Sequence, residues 1–274
     1  MMAEEHTRTA KPNRAPTAVP ELIAYEQPTN ERIRTFLRLE HVFVGIRQAL
    51  ATPSQWGSRQ ALIGILEIGD MLARADLKGE IIKELERHAA VISALSNNPG
   101  VDPTLLHKTI ERIEQQTTRL KAPDCQPTLR IRNDELLSQI KQRLAIPGGS
   151  CSFDLPALYH WLSRDFHERV ADLNTWLEDV RILQSAVDTV LSDIRESTVP
   201  KAVTAIGGFY QQSLEAGMSC QLLRVLIDRS VGAYPEISGG KHRFTIRLLR
   251  QKSSRERPEQ IEETVMLGLQ CCGI

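Results

Sequence analysis

Long hydrophobic runs are missing from this chain of 274 residues. Nothing approaches the roughly 18–20 apolar residues that a membrane span needs. The opening stretch MMAEEHTRTAKPNRAPTAVPE has no apolar centre of the kind that marks a secretory signal. Residues 1–20, rich in Pro, Ala and Thr, read as a disordered tail. Net charge is missing too. With 34 Lys+Arg against 34 Asp+Glu, overall charge points to no partner, and any electrostatic argument must rest on local clustering. Aromatic residues are scarce, at 5%, which weakens a reading as a base-stacking nucleic-acid binder. The five cysteines, Cys125, Cys151, Cys220, Cys271 and Cys272, form no CxxC pair. Odd in number and without an export signal, they read as free thiols in a reducing cytosol.

Catalytic and metal-binding motifs are equally thin. The turn IPGGSCSFDLP at 146–156 precedes a helix and could present backbone amides to a phosphate. It lacks the Lys-Ser/Thr of a phosphate-binding loop, so a plain connection with Asp154 as helix cap is the better reading. Cys151, Asp154 and His160 are close in sequence, but a thiolate and its base must meet in space and no local signature supports that. None of the seven histidines forms HExxH or stands at zinc spacing from a cysteine. The expectation is a protein that is not an enzyme and uses no metal or cofactor. Cys271 and Cys272 close the last strand, where alternation sends one side chain inward and the other outward.

What is present is a long helical region followed by strands. Residues 22–26 (LIAYE) read as a short strand before Pro28, and Asn30 as a helix N-cap. Apolar residues at helical spacing predict helices from Asn30 to about Leu50, over 58–74, from near Asp76 to 95, from Asp102-Pro103 to about Leu120, over 133–144, from Asp154 through 162, and over 172–195. After Pro200 the period changes. Residues 220–228, 243–250 and 264–272 read as three strands of a mostly antiparallel sheet, with YPEISGG and SSRERPE as turns between them. FYQQSL (209–214) and LIAYE are candidates to join that sheet. The class is α+β, with a mainly helical domain over 21–200 and a smaller β-sheet domain over 201–274.

The informative feature is a basic cluster. Between residues 241 and 257 there are seven basic residues, Lys241, Arg243, Arg247, Arg250, Lys252, Arg255 and Arg257, against Glu256 alone. Strand alternation puts Arg243, Thr245 and Arg247 on one face and Phe244, Ile246 and Leu248 on the other. The arginine face is a candidate surface for an extended acidic ligand. The bland alternative is a strand edge kept soluble by charge. Nucleic acid is a weaker option, because no aromatic platform is interleaved with the arginines in the sequence.

Several stretches together resemble the ZapD family: QPTNERIRTFLRLE (27–40), IIKELERH (81–88), RLAIPGGSCSFDLPALYHWL (143–162), GFYQ (208–211), AYPEISGGKHRFTIRL (233–248) and the terminal cysteine pair. The resemblance covers residues 22–272 in order. It implies a helical domain with a smaller β-domain, a cytoplasmic homodimer at the mid-cell division site, and no enzymatic activity. It further implies binding to the C-terminal tail of the tubulin-like GTPase FtsZ in a basic pocket between the domains, and cross-linking of FtsZ filaments. By resemblance the pocket arginines correspond to Arg243 and Arg247, with Arg74 matching more loosely and Lys241 nearby. The alternative reading of Arg74 is a cation compensating the dipole at a helix C-terminus. The turn SGGKHR carries an extra glycine before Lys241, and residues 1–20 have no family counterpart.

Overall fold

The computed structural model describes residues 21–74, 76–98, 100–214, 219–240 and 243–274. The tail expected at 1–20 and Lys241 lie outside the described residues. Strand β1 (Leu22–Pro28) is followed by nine helices among the described residues: α1 (Glu31–Leu50), α2 (Gln55–Arg74), α3 (Leu77–Ala94), α4 (Pro103–Lys121), α5 (Leu129–Asn133), α6 (Glu135–Leu144), α7 (Pro156–Ser163), α8 (Phe166–Leu177) and α9 (Arg181–Glu196). Then come β2 (Lys201–Ala205), β3 (Phe209–Ser213), β4 (Leu222–Asp228), β5 (Tyr234–Gly239), β6 (Arg243–Arg250), β7 (Glu259–Gln260) and β8 (Val265–Cys272). The class is α+β, as the sequence predicts.

The helices start where side chains can serve the free amides of the first turn. Asn30 accepts from the Ile33 amide at 2.9 Å, Asp76 from Gly79 at 3.0 Å, Asp102 from Thr104 at 2.8 Å and Asp134 from Leu137 at 2.9 Å. Asn30→Ala, which removes the first cap, is expected to cost about 1 kcal/mol; a urea midpoint equal to wild type would show that this cap contributes nothing. Three boundaries depart from expectation. Ser54 accepts from the Gly57 amide and starts α2 at Gln55, earlier than residue 58. Asp154 does not cap α7: Leu155 occupies the cap position and Pro156 opens the helix, as its fixed φ favours. The single helix expected over 172–195 is two helices, joined by a 3₁₀ turn at Glu178–Val180.

α9 is the axis of the helical layer and packs against α1, α3, α4 and β8. Its stripe of Leu183, Val187, Leu191 and Ile194 is fully buried, and the spacing follows the helical repeat. α1 and α2 lie close enough that a Cβ on Gly64 would come within 2.6 Å of Ile46, so glycine is what permits that approach.

The strands form two antiparallel sheets where one was expected. The first has the order β1-β4-β8-β2, and the second has β3-β6-β5 with β7 on β6. YPEISGG is strand β5, not a turn. Its Tyr234, Glu236 and Ser238 are exposed in alternation, and at a sheet edge Pro235 removes no needed donor. Between the sheets lie Leu223, Val225, Ile227, Leu267 and Leu269 from the first and Phe244, Ile246 and Leu248 from the second. The first sheet's other face meets the helices through Leu222 and Cys272. It is therefore covered on both sides. This corrects the expectation of one inward and one outward cysteine: Cys272 is buried against the helices, while Cys271 packs against the inter-sheet core. Cys220 lies beside Cys271 and their thiols interact. Its hydrogen bond draws the Cys271 thiol down to about 7, against the opposing effect of burial.

Two ion networks tie the first sheet to the helices. Glu26 of β1 receives Arg195 of α9 at 2.7 Å and Arg224 of β4 at 2.8 Å, and Arg195 also reaches Glu40 of α1 at 2.6 Å. Burial alone would raise the Glu26 carboxyl, but Arg195 and Arg224 outweigh it and hold it low. In the second network Glu84 of α3, whose side chain is 1% exposed, accepts from Arg32 at 2.7 Å and Arg87 at 2.5 Å. It also accepts from Gln221, just before β4, at 2.8 Å. His88, fully buried, lies 3.3 Å from Glu84 and 3.7 Å from Asp193 of α9.

Candidate functional site

β6 presents its side chains as alternation predicts: Arg243 and Arg247 are exposed, while Phe244, Ile246 and Leu248 are buried. The pairing surrounds Arg247 in ways the sequence does not reveal. Its register partner on β5 is Glu236, which forms an ion pair with it. Its partner on β3 is Phe209, exposed on the same face. An aromatic thus does stand beside an arginine, contrary to expectation; it comes from a strand 38 residues away. Arg243 lies opposite Ser213, and among the described residues no acid pairs with it.

Arg74 sits in the last turn of α2. It lines a groove of about 660 Å³ between α1, α2 and the end of β1. Leu37, Val42, Met71 and Leu77 give that groove apolar walls, and Arg34, Arg38 and Arg74 surround them, with Glu67 also present. Arg34 is 3.0 Å from Glu31, whereas Arg38 and Arg74 have no ion-pair partner among the described residues. Arg34 and Arg38 are functional candidates that sequence reasoning missed. Their i,i+4 spacing puts them on one face of α1, and that was the available signal.

Arg243 and the groove lie at the same end of the molecule. Gly239, at the end of β5, packs against Leu223, and Leu223 is the register partner of Gln27. The β5–β6 hairpin therefore turns where β1 passes through Pro28 into α1, and Pro28 lines the groove. Arg247, four residues and two strand repeats further along, is displaced from that end. The outer face of the second sheet, which carries both Arg243 and Arg247, is separated from the helices by the first sheet.

The other candidates resolve differently. In the glycine-rich turn the amides of Gly149, Cys151, Asp154 and Leu155 donate to carbonyls of the turn itself. They are not free to cradle a phosphate. Cys151 is exposed, and no hydrogen bond joins its thiol to Asp154 or His160. Among the described residues no group of three His, Cys, Asp or Glu side chains is placed to hold a metal ion. No helix there is long and apolar enough to cross a membrane.

Comparison with known proteins supplies independent information. The family model described as "ZapD: Cell division protein" matches residues 37–247. A protein named "Cell division protein ZapD" from Methylococcus capsulatus is 37% identical over 250 residues, 91% of this chain and 98% of the relative. Proteins of the same name from Coxiella burnetii and Cupriavidus pinatubonensis are 34% and 39% identical, each over 92% of this chain and 98% and 99% of their own length.

Proposed function

Since the chain belongs to the ZapD family of cell-division proteins, we propose that it is a non-enzymatic division adaptor that binds the C-terminal tail of FtsZ and, as a homodimer, cross-links FtsZ filaments at mid-cell in the cytoplasm. The observation that carries this reading is the groove with apolar walls and Arg34, Arg38 and Arg74 around it. An extended peptide with acidic and apolar residues fits such a site. Its acids meet Arg38, Arg74 and Arg243 in charge-assisted hydrogen bonds, and its apolar residues meet Met71 and Leu77. A two-fold dimer presents two such grooves. Each filament displays many tails, so weak contacts become firm attachment through effective concentration. No step needs a cofactor. An exposed Phe209 beside Arg247 favours one second reading, nucleic acid on the outer sheet face.

Co-sedimentation with FtsZ polymers tests the proposal. The protein is expected to pellet with full-length FtsZ and not with tail-truncated FtsZ. Arg38→Glu, Arg74→Glu and Arg243→Glu should each weaken binding of a tail peptide by about 1.5–3 kcal/mol, or roughly ten- to a hundredfold. Arg247→Glu should cost less, because Glu236 already balances Arg247. If the groove variants bind like wild type while a nucleic acid binds with a steep salt slope, the second reading replaces the first. A monomer in sedimentation that still bundles filaments would overturn the bivalent mechanism.

A further inference from the structure

The entry to β4 breaks the alternation of its strand. Leu222 pairs with Cys272 in the register, yet the Gln221 amide also donates to the Cys272 carbonyl, at 2.8 Å. Two residues of one strand therefore face one residue of the other, the arrangement of a β-bulge. Both side chains point to the helices: Gln221 donates to Glu84 at 2.8 Å, and Leu222 is buried in the helical core. A regular strand would send Gln221 to the opposite face, the one that carries Leu223. The bulge shifts that place by one residue, and Cys220 fills it. Cys220 packs on the inter-sheet core together with Cys271, which lies opposite Leu223 on β8. The two thiols thus meet on one face although they are 51 positions apart in the chain. Re-aiming a side chain is a recurrent use of a bulge.

The pair has the features of a reactive dithiol. Both residues are half-buried and partly open to solvent, whereas the neighbouring Cys272 is fully buried among the helices. A hydrogen bond between the thiols divides their chemistry. Cys271 accepts it and, with Lys201 of β2 nearby, its thiol falls to about 7 in spite of burial. Cys220 donates it, and the bond and burial together push its thiol up. At neutral pH Cys271 is therefore partly thiolate, the nucleophilic form, with a protonated thiol held against it. A thiol that ionises near the ambient pH is the most effective attacking group in disulfide exchange. Among the described residues no third His, Cys, Asp or Glu stands with the pair to hold a metal ion.

We propose that Cys220 and Cys271 form a redox modification site, converted to an intramolecular disulfide by a low-molecular-weight disulfide of the glutathione class. The Cys271 thiolate attacks one sulfur of the oxidant, forming a mixed disulfide and expelling one thiolate. Cys220 then gives up its proton, attacks the Cys271 sulfur and expels the second thiolate. The protein loses two electrons and two protons, and the oxidant gains them as two thiols. The new bond joins the start of β4 to the end of β8 and closes the loop between them. Such a cross-link restricts the unfolded chain. It also fastens the bulge to the junction of β1 and α1, where Thr29 Oγ1 already donates to the Cys220 carbonyl at 2.5 Å.

Treatment of the full chain with oxidised glutathione near neutral pH tests this, followed by alkylation of the remaining thiols in urea and mass mapping of the peptides. Cys220 and Cys271 are expected to escape alkylation and to be found bridged, and dithiothreitol should restore both. Cys220→Ser should stop at a glutathione mixed disulfide on Cys271. Cys271→Ser should leave Cys220 free, because the second thiol keeps its proton. The oxidised wild type should have a raised urea midpoint, and neither serine variant should show that rise. Full alkylation of both thiols after the oxidant, a bridge to Cys272, or a mixed disulfide on Cys271 that Cys220 does not resolve would overturn the proposal. So would a bridge that lowers the urea midpoint, since the sheets would then have to distort to make it.

Discussion

Replacing Glu84 by alanine is expected to lower the free energy of unfolding by about 3–5 kcal/mol, the cost of breaking a buried charge network by removing one partner. Glu84 is the acceptor on which Arg32, Arg87 and Gln221 converge, from α1, α3 and the entry to β4. Its loss leaves Arg87 without an acidic partner, and leaves Arg32 with Glu80 alone and His88 with Asp193 alone, where the helices meet the first sheet. Urea titration near neutral pH measures the effect, and a loss below about 1 kcal/mol would mean that water reaches the site and solvates the arginines. The same network makes stability depend on pH. Burial would raise the Glu84 carboxyl, but the bonds from His88, Arg87, Arg32 and Gln221 more than offset this and hold it well below its ordinary 4.5. Its contribution is complete above that value and is lost as pH falls. Burial would lower the His88 imidazole, but Asp193 and Glu84 outweigh it and raise it above 6.5. That contribution is complete below 6.5 and is lost as pH rises through the raised value. The two groups together favour the window between about pH 4.5 and 6.5. A His88→Gln variant should lack the decline on the alkaline side; an unchanged alkaline limb in that variant would assign the decline to other groups.

Phe244→Ala is expected to cost a further large amount, about 3–5 kcal/mol for truncating a buried aromatic. The ring is 1% exposed, lies in the inter-sheet core, and stands 6.3 Å from the Tyr210 ring. Its sequence neighbour Arg243 projects to solvent, so Arg243→Glu should leave the urea midpoint where it is. The pair separates loss of the sheet from loss of a surface contact. Phe244→Ala should abolish tail-peptide binding only through unfolding, whereas Arg243→Glu should weaken it in a folded protein. If Phe244→Ala unfolds at the wild-type urea concentration, the two sheets do not share that core.

The residues that could be read from the sequence are those whose roles are set by local neighbours. Asn30, Asp76 and Asp102 act on amides two or three positions away, and the two faces of β6 follow from a period of two. What could not be read depends on partners far along the chain. β5 looked like a turn because Pro235 and the glycines signal one, and only pairing with β6 makes it a strand. The division of the strands into two sheets is invisible locally, and so is the packing of the half-buried Cys271 against the inter-sheet core while Cys272 is buried against the helices. The break between α8 and α9 falls at Glu178–Val180, where no proline or glycine announces it. For the candidate site, the arginine face of β6 was legible, while the ion pair from Glu236 and the groove formed with Arg34 and Arg38 required α1, α2 and β5 to be brought together.

The pairing of β1 with β4 has a consequence for synthesis of the chain. β1 lies at the edge of the first sheet, where β4 is its only strand partner among the described residues, and the register joins Leu22 to Asp228 and Pro28 to Leu222. The ribosome must therefore add about 200 residues after Pro28 before that partner is complete, roughly 10–40 s at 5–20 residues per second. Throughout that interval the helices can assemble, but Glu26 waits for Arg224, and the amides that β1 pairs with β4 stay without those partners. The nascent protein thus carries an exposed strand at its leading end for most of its translation.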